Sequence, residues 1–579
     1  MSNKFLNSYS IFQLLLKYRN YLFFAFLLIR ATEFLLDIAL GDGDGSIQSF
    51  YPYMLLTATK FSLVMGFIAL SIVKLSEVDF QNRTQQIFEK LKKASSAYSF
   101  FLIAIVYVSF SVYYQQGGFL DNEVEYGASE NSTIGFLRHY LSSDMPFLQK
   151  IFDVRVTDNS AFQSRELSFV FDYIDAQFID RCIGLGIPHF YSLSHYIFTL
   201  LIGWWLYSFC TKHLNFNAFI SLLFVIILWT APCIFFSATF YRSAKISTSF
   251  FLVWYFILLY KVLAGSDKLN NLYSDLKSQI PKIYLGITLL GLAVVFTDRQ
   301  GFFFMLIVLL FLAFKWLSAP SKNTAMLFFS CLFAVAFNTF YNYYLGGKII
   351  FALHGYYPDF TYQKIPWSML TDWWHYQDAV FFEEAIDILL QEWRLLLGNV
   401  PTFMVFTFGI WLIFTFAKYV PWTFENPLAH QAISVKGIVG ALVFLFLIFI
   451  ILLNMLMRMR HPAIYQEGYF RYYYPIPVTV ILFILTLLFI QIIQNHRLVK
   501  SSKLAILVLL IAMSNIFSLP SHYAVLRSDT APRAMRIKNT PVFLEALRNS
   551  NNPDYTISDS LASKPIFQFL KNRHTDSRK

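Results

Sequence analysis

The sequence predicts an all-α polytopic membrane protein with about thirteen transmembrane helices. Three observations carry that expectation. Of 579 residues, 56% are hydrophobic and 14% are charged, whereas soluble domains hold about 25% charged residues. Apolar runs of the roughly 17–25 residues needed to cross a bilayer recur along the chain. Basic residues gather in the gaps between these runs, mostly on alternate sides, as the positive-inside rule describes. The net charge of +11 therefore reads as topology control, and no nucleic-acid partner is expected.

The apolar runs centre on 21–40, 52–74, 97–114, 192–211, 217–240, 246–264, 281–297, 301–317, 325–345, 397–418, 436–457, 473–494 and 503–519. Lys17 and Arg19 precede the first run, and Lys90, Lys92 and Lys93 follow the second. Lys268, Lys277 and Lys282 follow the sixth, Lys315 and Lys322 the eighth, and Arg497 and Lys500 the twelfth. All fall on one side if the N-terminus is cytoplasmic. Residues 1–519 then form a transmembrane domain with two long outer loops, 115–192 and 346–395, and residues 520–579 form a short soluble tail on the outer side. In the tail, Asp554 to Ser558 reads as a short strand and Lys564 to Lys571 as a helical turn or two. No cleavable leader is expected, because the first apolar run lacks a small-residue cleavage site. The four cysteines have no metal-ligand spacing and imply neither a zinc site nor a disulfide framework.

Candidate chemistry lies on the outer side. The loop 115–192 opens on Asp121, Glu123 and Glu125. Carboxylates just beyond a span can act as a general base or hold a divalent cation, Mg or Mn; they equally suit a solvated loop start. Later the loop carries Arg165, Glu166, Asp172 and Asp175. Helical spacing puts Asp172 and Asp175 on one face, with Phe169, Phe171, Tyr173, Ile174 and Phe178 supplying apolar surface, as in a helix lying on a membrane. The short turn Phe296-Thr-Asp-Arg-Gln-Gly301 places Asp298 and Arg299 at the outer surface, an expensive position unless they are solvated or bound. Arg242, Arg471 and Tyr472 are further outer-side candidates. Arginine suits phosphate, and Tyr472 to Tyr474 equally suit an aromatic belt. The second outer loop holds His354, Asp359, Asp372, Trp373, Trp374, His375 and Asp378, aromatic residues and carboxylates of the kind that bind sugars or line an interface. No Walker loop, dinucleotide glycine fingerprint or His-Glu-x-x-His is present, so a lipid-linked donor is expected over a nucleotide.

Taken together, these pieces resemble the GT-C class of polytopic glycosyltransferases, in particular the bacterial branch related to protein O-mannosyltransferases. The resemblance rests on Phe119-Leu-Asp-Asn-Glu123, Ser164-Arg-Glu-Leu-Ser168, the aromatic stretch 169–178, Ile187-Pro-His-Phe-Tyr-Ser-Leu-Ser-His195, Thr297-Asp-Arg-Gln-Gly301 and Arg471-Tyr-Tyr-Tyr-Pro475. It covers about 97–480 through short motifs. Three departures stand out: Asn122 replaces the second acid of the family pair, Glu166 replaces the proline of its Arg-Pro-Leu-Ser, and the loop follows the third span instead of the first.

The resemblance implies transfer of a sugar from a polyprenyl-phosphate donor to a glycan, lipid or protein hydroxyl at the outer face of a bacterial inner membrane. It makes Asp121, with Glu123, the catalytic and metal-binding candidates. It makes Arg165, Asp172, Asp175, Arg242, Asp298, Arg299, Arg471 and Tyr472 the substrate-binding candidates. Two other classes fit the composition. One is a transporter or flippase that uses Arg30, Glu33 and Lys60; the other is a non-catalytic protein of envelope-polysaccharide assembly.

Overall fold

The computed structural model describes residues 99–111, 139–142, 144–157, 162–185, 193–237, 244–265, 280–318, 320–359, 555–563 and 565–576, with scattered positions in 477–487, 508–519 and 545–552. Regular structure among these residues is helical, apart from one isolated bridge in which Phe162 N–H donates to Asp359 O at 2.9 Å.

The helices in chain order are α1 (Ser99–Ser111), α2 (Phe147–Phe152), α3 (Val154–Thr157), α4 (Glu166–Gly184), α5 (Leu193–Lys212), α6 (Ala218–Trp229), α7 (Pro232–Ser237), α8 (Ala244–Gly265), α9 (Ile280–Thr297), α10 (Arg299–Ser318) and α11 (Lys322–Phe340). A π-helical turn (Tyr341–Leu345) carries α11 into α12 (Gly346–His354), and α13 (Asp559–Ala562) and α14 (Pro565–Asp576) follow. Among the described residues four helices are long and apolar enough to cross a membrane: 193–212, 245–263, 299–317 and the continuous 322–354. Helices α1, α6 and α9 are apolar but shorter. The expected spans at 21–40, 52–74, 397–418 and 436–457 lie outside the described residues, and those at 473–494 and 503–519 are described only at scattered helical positions.

The run 217–240 does not form one helix. Asn217 caps α6 by accepting from Ile220 N at 2.8 Å, and α6 is buried on every side from Phe219 to Trp229. It then breaks at Thr230 and Ala231, because Pro232 has no N–H to continue the ladder and suits the first position of a new helix. At the break, Trp229 Nε1 donates to Thr199 O at 2.9 Å and its ring lies over Gly203, where a Cβ would sit 2.4 Å from the indole. Tyr107 of α1 stacks on the same indole with centroids 4.8 Å apart. The centre of the bundle is thus aromatic packing around a helix buried on every side.

Helices α9 and α10 are joined by Asp298 alone. So tight a connection requires a close approach at Gly301, where a Cβ would lie 2.2 Å from Val294 O. Gly301→Ala is expected to cost about 1–3 kcal/mol through overpacking against backbone. A fall in the thermal midpoint of the detergent-solubilised protein would show it, and an unchanged midpoint would contradict the close packing.

The expected outer loop 346–395 begins later than the sequence suggests. Gly346 and Gly347 look like helix breakers, yet the helix runs on to His354 and stops at Gly355, whose φ of +73° ends it in a left-handed cap. Gly346 is there for space: a Cβ would fall 2.3 Å from the Phe162 ring.

A second layer covers one end of the bundle. Tyr140, Leu141, Ile151, Phe169, Ala176 and Ile179 pack with Phe567 and Leu570 of α14. Arg573 forks onto both carboxylate oxygens of Asp180 at 3.0 Å and donates to Leu141 O at 3.1 Å, the strong bidentate geometry of guanidinium on carboxylate. Tyr356 donates to Asp153 Oδ1 at 2.9 Å and carries Arg155 3.8 Å above its ring, tying the residues after α12 to the same layer. The helical turn expected at 564–571 is therefore α14, a docked helix. The strand expected at 554–558 is absent: residues 555–558 have no regular structure.

Candidate functional site

The site is built where α4, the hairpin α9–α10 and the π-turn after α11 meet. It begins with Ser164, whose φ of +49° is uncommon for a residue with a side chain. Its hydroxyl accepts from Asn338 Nδ2 at 3.2 Å and from Asn342 Nδ2 at 2.9 Å. Asn338 also donates to Val295 O at 3.2 Å, so one amide ties the segment before α4 to the end of α9. Phe296 lies against Tyr341 with ring centroids 5.0 Å apart, and Phe162 meets the same tyrosine at 5.8 Å. These contacts bring Ser164-Arg165-Glu166 and the turn 297–301 to one end of the bundle.

Glu166 is the first residue of α4. Tyr341 donates its hydroxyl proton to Oε1 at 2.6 Å, while Oε2 is buried with no hydrogen-bond partner. Burial pushes this carboxyl up to about 7, against the opposing pull of the Tyr341 hydroxyl, its own backbone amide and the neighbouring Arg165. The buried Arg165 holds its guanidinium 5.6 Å from the centroid of Phe169.

The turn between α9 and α10 holds a buried ion pair. Lys245 Nζ lies 2.5 Å from Asp298 Oδ2, with side-chain exposures of 9% and 1%. Asp298 Oδ1 accepts from Gln300 N at 2.9 Å and so caps α10. Beside it Thr248 donates to Thr297 Oγ1 at 2.9 Å. Gln300 is buried, and neither atom of its amide has a hydrogen-bond partner. Arg299 is half-buried at the first position of α10, where the N–H groups of Gln300 and Gly301 are taken by the carboxylate and the carbonyl of Asp298, so that the guanidinium is the group suited to an anion.

Asp172 and Asp175 are both buried. Asp175 accepts from Ser194 N at 2.8 Å and from Ser194 Oγ at 2.6 Å, which fastens α4 to the start of α5. The acidic face of α4 is thus turned inward, while Ile174 is exposed. Of the apolar residues expected to supply a surface, Phe171 packs on Phe198 of the bundle and Phe169 joins Ile179 in the second layer.

The structure therefore joins Arg165, Asp298 and Arg299 in one region and places Asp175 in a helix-to-helix clamp. Asp121, Glu123, Arg242, Arg471 and Tyr472 lie outside the described residues. So does the cation expected at Asp121 and Glu123. Among the described residues no group of three or more His, Cys, Asp or Glu is arranged to hold a metal. Sequence patterns did not point to Asn338, Tyr341 or Asn342. The signal was present in the two asparagines, polar residues within the otherwise apolar run 325–345, where such side chains mark helix contacts or sites.

Chemically, the region offers a carboxyl, hydroxyls and amides beside a helix N-terminus bearing an arginine. The former suit a neutral polyhydroxylated group and the arginine an anion. No family model, curated protein or solved structure matches the chain.

Proposed function

We propose that the chain is a membrane glycosyltransferase of the GT-C kind, with about thirteen transmembrane helices, a cytoplasmic N-terminus and its site at the outer face of a bacterial inner membrane. It takes a sugar from a polyprenyl-phosphate donor. Asp121 removes the proton of an acceptor hydroxyl, the hydroxyl oxygen attacks the anomeric carbon with inversion, and polyprenyl phosphate leaves with the bonding electron pair. Arg299 and Arg471, with Arg242, stabilise the phosphate charge as it develops. The acceptor is a glycan, lipid or protein hydroxyl.

One observation supports this above the others. The Ser164-Arg165-Glu166 segment and the Thr297 to Gly301 turn are bridged by Asn338, which bonds both Ser164 Oγ and Val295 O. A polyol-compatible cluster and an arginine suited to an anion thus share one end of the bundle. That is the pairing a sugar phosphate needs.

The test is incubation of purified protein with labelled polyprenyl-phosphate sugars and candidate acceptors. Wild type is expected to release polyprenyl phosphate and label an acceptor, and Arg299→Gln to slow release by roughly 100-fold or more. Coupled movement of an intact lipid-linked sugar across vesicles, with no bond cleaved, would favour a flippase instead.

A further inference from the structure

Glu166 replaces a proline in the motif that the loop resembles, and its surroundings explain what a carboxyl gains there. Tyr341 has one hydroxyl proton and gives it to Oε1 at 2.6 Å. Oε2 is left buried without a partner, a cost of about 1–3 kcal/mol, more if the group is charged. A glutamate at the first position of a helix can usually turn its carboxylate to water or to the free N–H groups of the first turn. Here Tyr341 fixes it inward. The backbone before it is also fixed, since Ser164 is held in its left-handed conformation by Asn338 and Asn342. Three residues at the end of one helix thus hold one carboxylate oxygen in a set position. Burial also raises the carboxyl to about 7.

We propose that Glu166 Oε2 is a sugar-binding atom: it accepts a hydrogen bond from a hydroxyl of the transferred sugar. The inference rests on the glycosyltransferase reading and extends it to a residue where the chain departs from the family pattern. A carboxylate oxygen needs a donor. Arg165 beside it disfavours a cationic donor, and the neighbouring Ser164, Asn338, Asn342 and Tyr341 groups are uncharged, as suits a polyol. Tyr341, Asn338 and Asn342 are positioning residues and do not react.

The test compares wild type and Glu166→Gln in lipid nanodiscs. The probes are polyprenyl-phosphate mannose, glucose and galactose, their single-deoxy forms, and bare polyprenyl phosphate. Glutamine keeps the volume and a carbonyl oxygen for Tyr341, so an unchanged thermal midpoint is required first; if it falls, Glu166→Asp is compared in the same way. Glu166→Gln is expected to bind the preferred sugar donor roughly tenfold or more weakly, with bare polyprenyl phosphate unchanged. One deoxy donor should lose a similar factor on wild type and little further on the variant. Equal binding of sugar donors by variant and wild type overturns the proposal; so does an equal loss for bare polyprenyl phosphate, which would mark a structural role. If wild type binds no sugar donor better than bare polyprenyl phosphate, the glycosyltransferase reading falls and the inference with it.

Discussion

Lys245→Met is expected to destabilise the protein by roughly 3–5 kcal/mol, the cost of leaving one buried charge without its partner. Asp298 is 1% exposed and its Oδ2 lies 2.5 Å from Lys245 Nζ. Removing the ammonium strands a carboxylate at the one-residue connection between α9 and α10. Asp298→Asn removes the carboxylate that faces Lys245 but keeps an oxygen for Gln300 N, so the cap on α10 survives. The double variant Lys245→Met with Asp298→Asn is therefore expected to recover most of the loss, because neither charge remains to be desolvated. Unfolding of the detergent-solubilised protein reads all four forms. Additive losses would mean that the two charges do not act as a pair.

Asp121→Asn is expected to abolish transfer, lowering turnover by roughly 100- to 10,000-fold, the usual contribution of a general base. Asparagine keeps the size and one oxygen of aspartate but does not accept the acceptor's proton at neutral pH. Binding of the polyprenyl-phosphate sugar should persist, since the phosphate contacts are assigned to arginines elsewhere. Membrane insertion should persist too, because position 121 falls in the polar stretch 115–192 and outside the apolar runs. Turnover at the wild-type rate would remove Asp121 from the mechanism. Measuring Asp121→Asn beside Glu166→Gln separates the two carboxyls: the first should fall in turnover and the second in donor binding.

The helices long and apolar enough to cross a membrane could be read from sequence because run length and hydropathy report a physical requirement, the thickness of the bilayer. Leu193–Lys212 and Ala244–Gly265 lie within a few residues of the runs that announce them. What the sequence hid was decided by contacts distant in the chain. Spacing put Asp172 and Asp175 on one face of a helix, but Ser194 on another helix decides that this face points inward. Gly346 looks like a stop, but the Phe162 ring makes it a packing site and the helix continues. Pro232 announced its break plainly, and only the strength of the surrounding apolar run concealed it. Of the site, Arg165, Asp298 and Arg299 were visible as charges beside apolar spans. Their supports were not, because Asn338 and Tyr341 gain meaning only through Ser164 and Glu166, more than 170 positions away.

The docking of α14 also sets an order in time. Arg573 and Asp180 are separated by 393 positions. At about 5–20 residues per second, the ribosome needs roughly 20–80 s to travel from one to the other. Throughout that interval Phe169, Ala176 and Ile179 have been made, but Phe567 and Leu570, which complete their packing, have not. Every helix from α5 to α12 emerges in between. Helices α5 to α12 are made first, and the layer over the end of the bundle closes only after α14 has emerged.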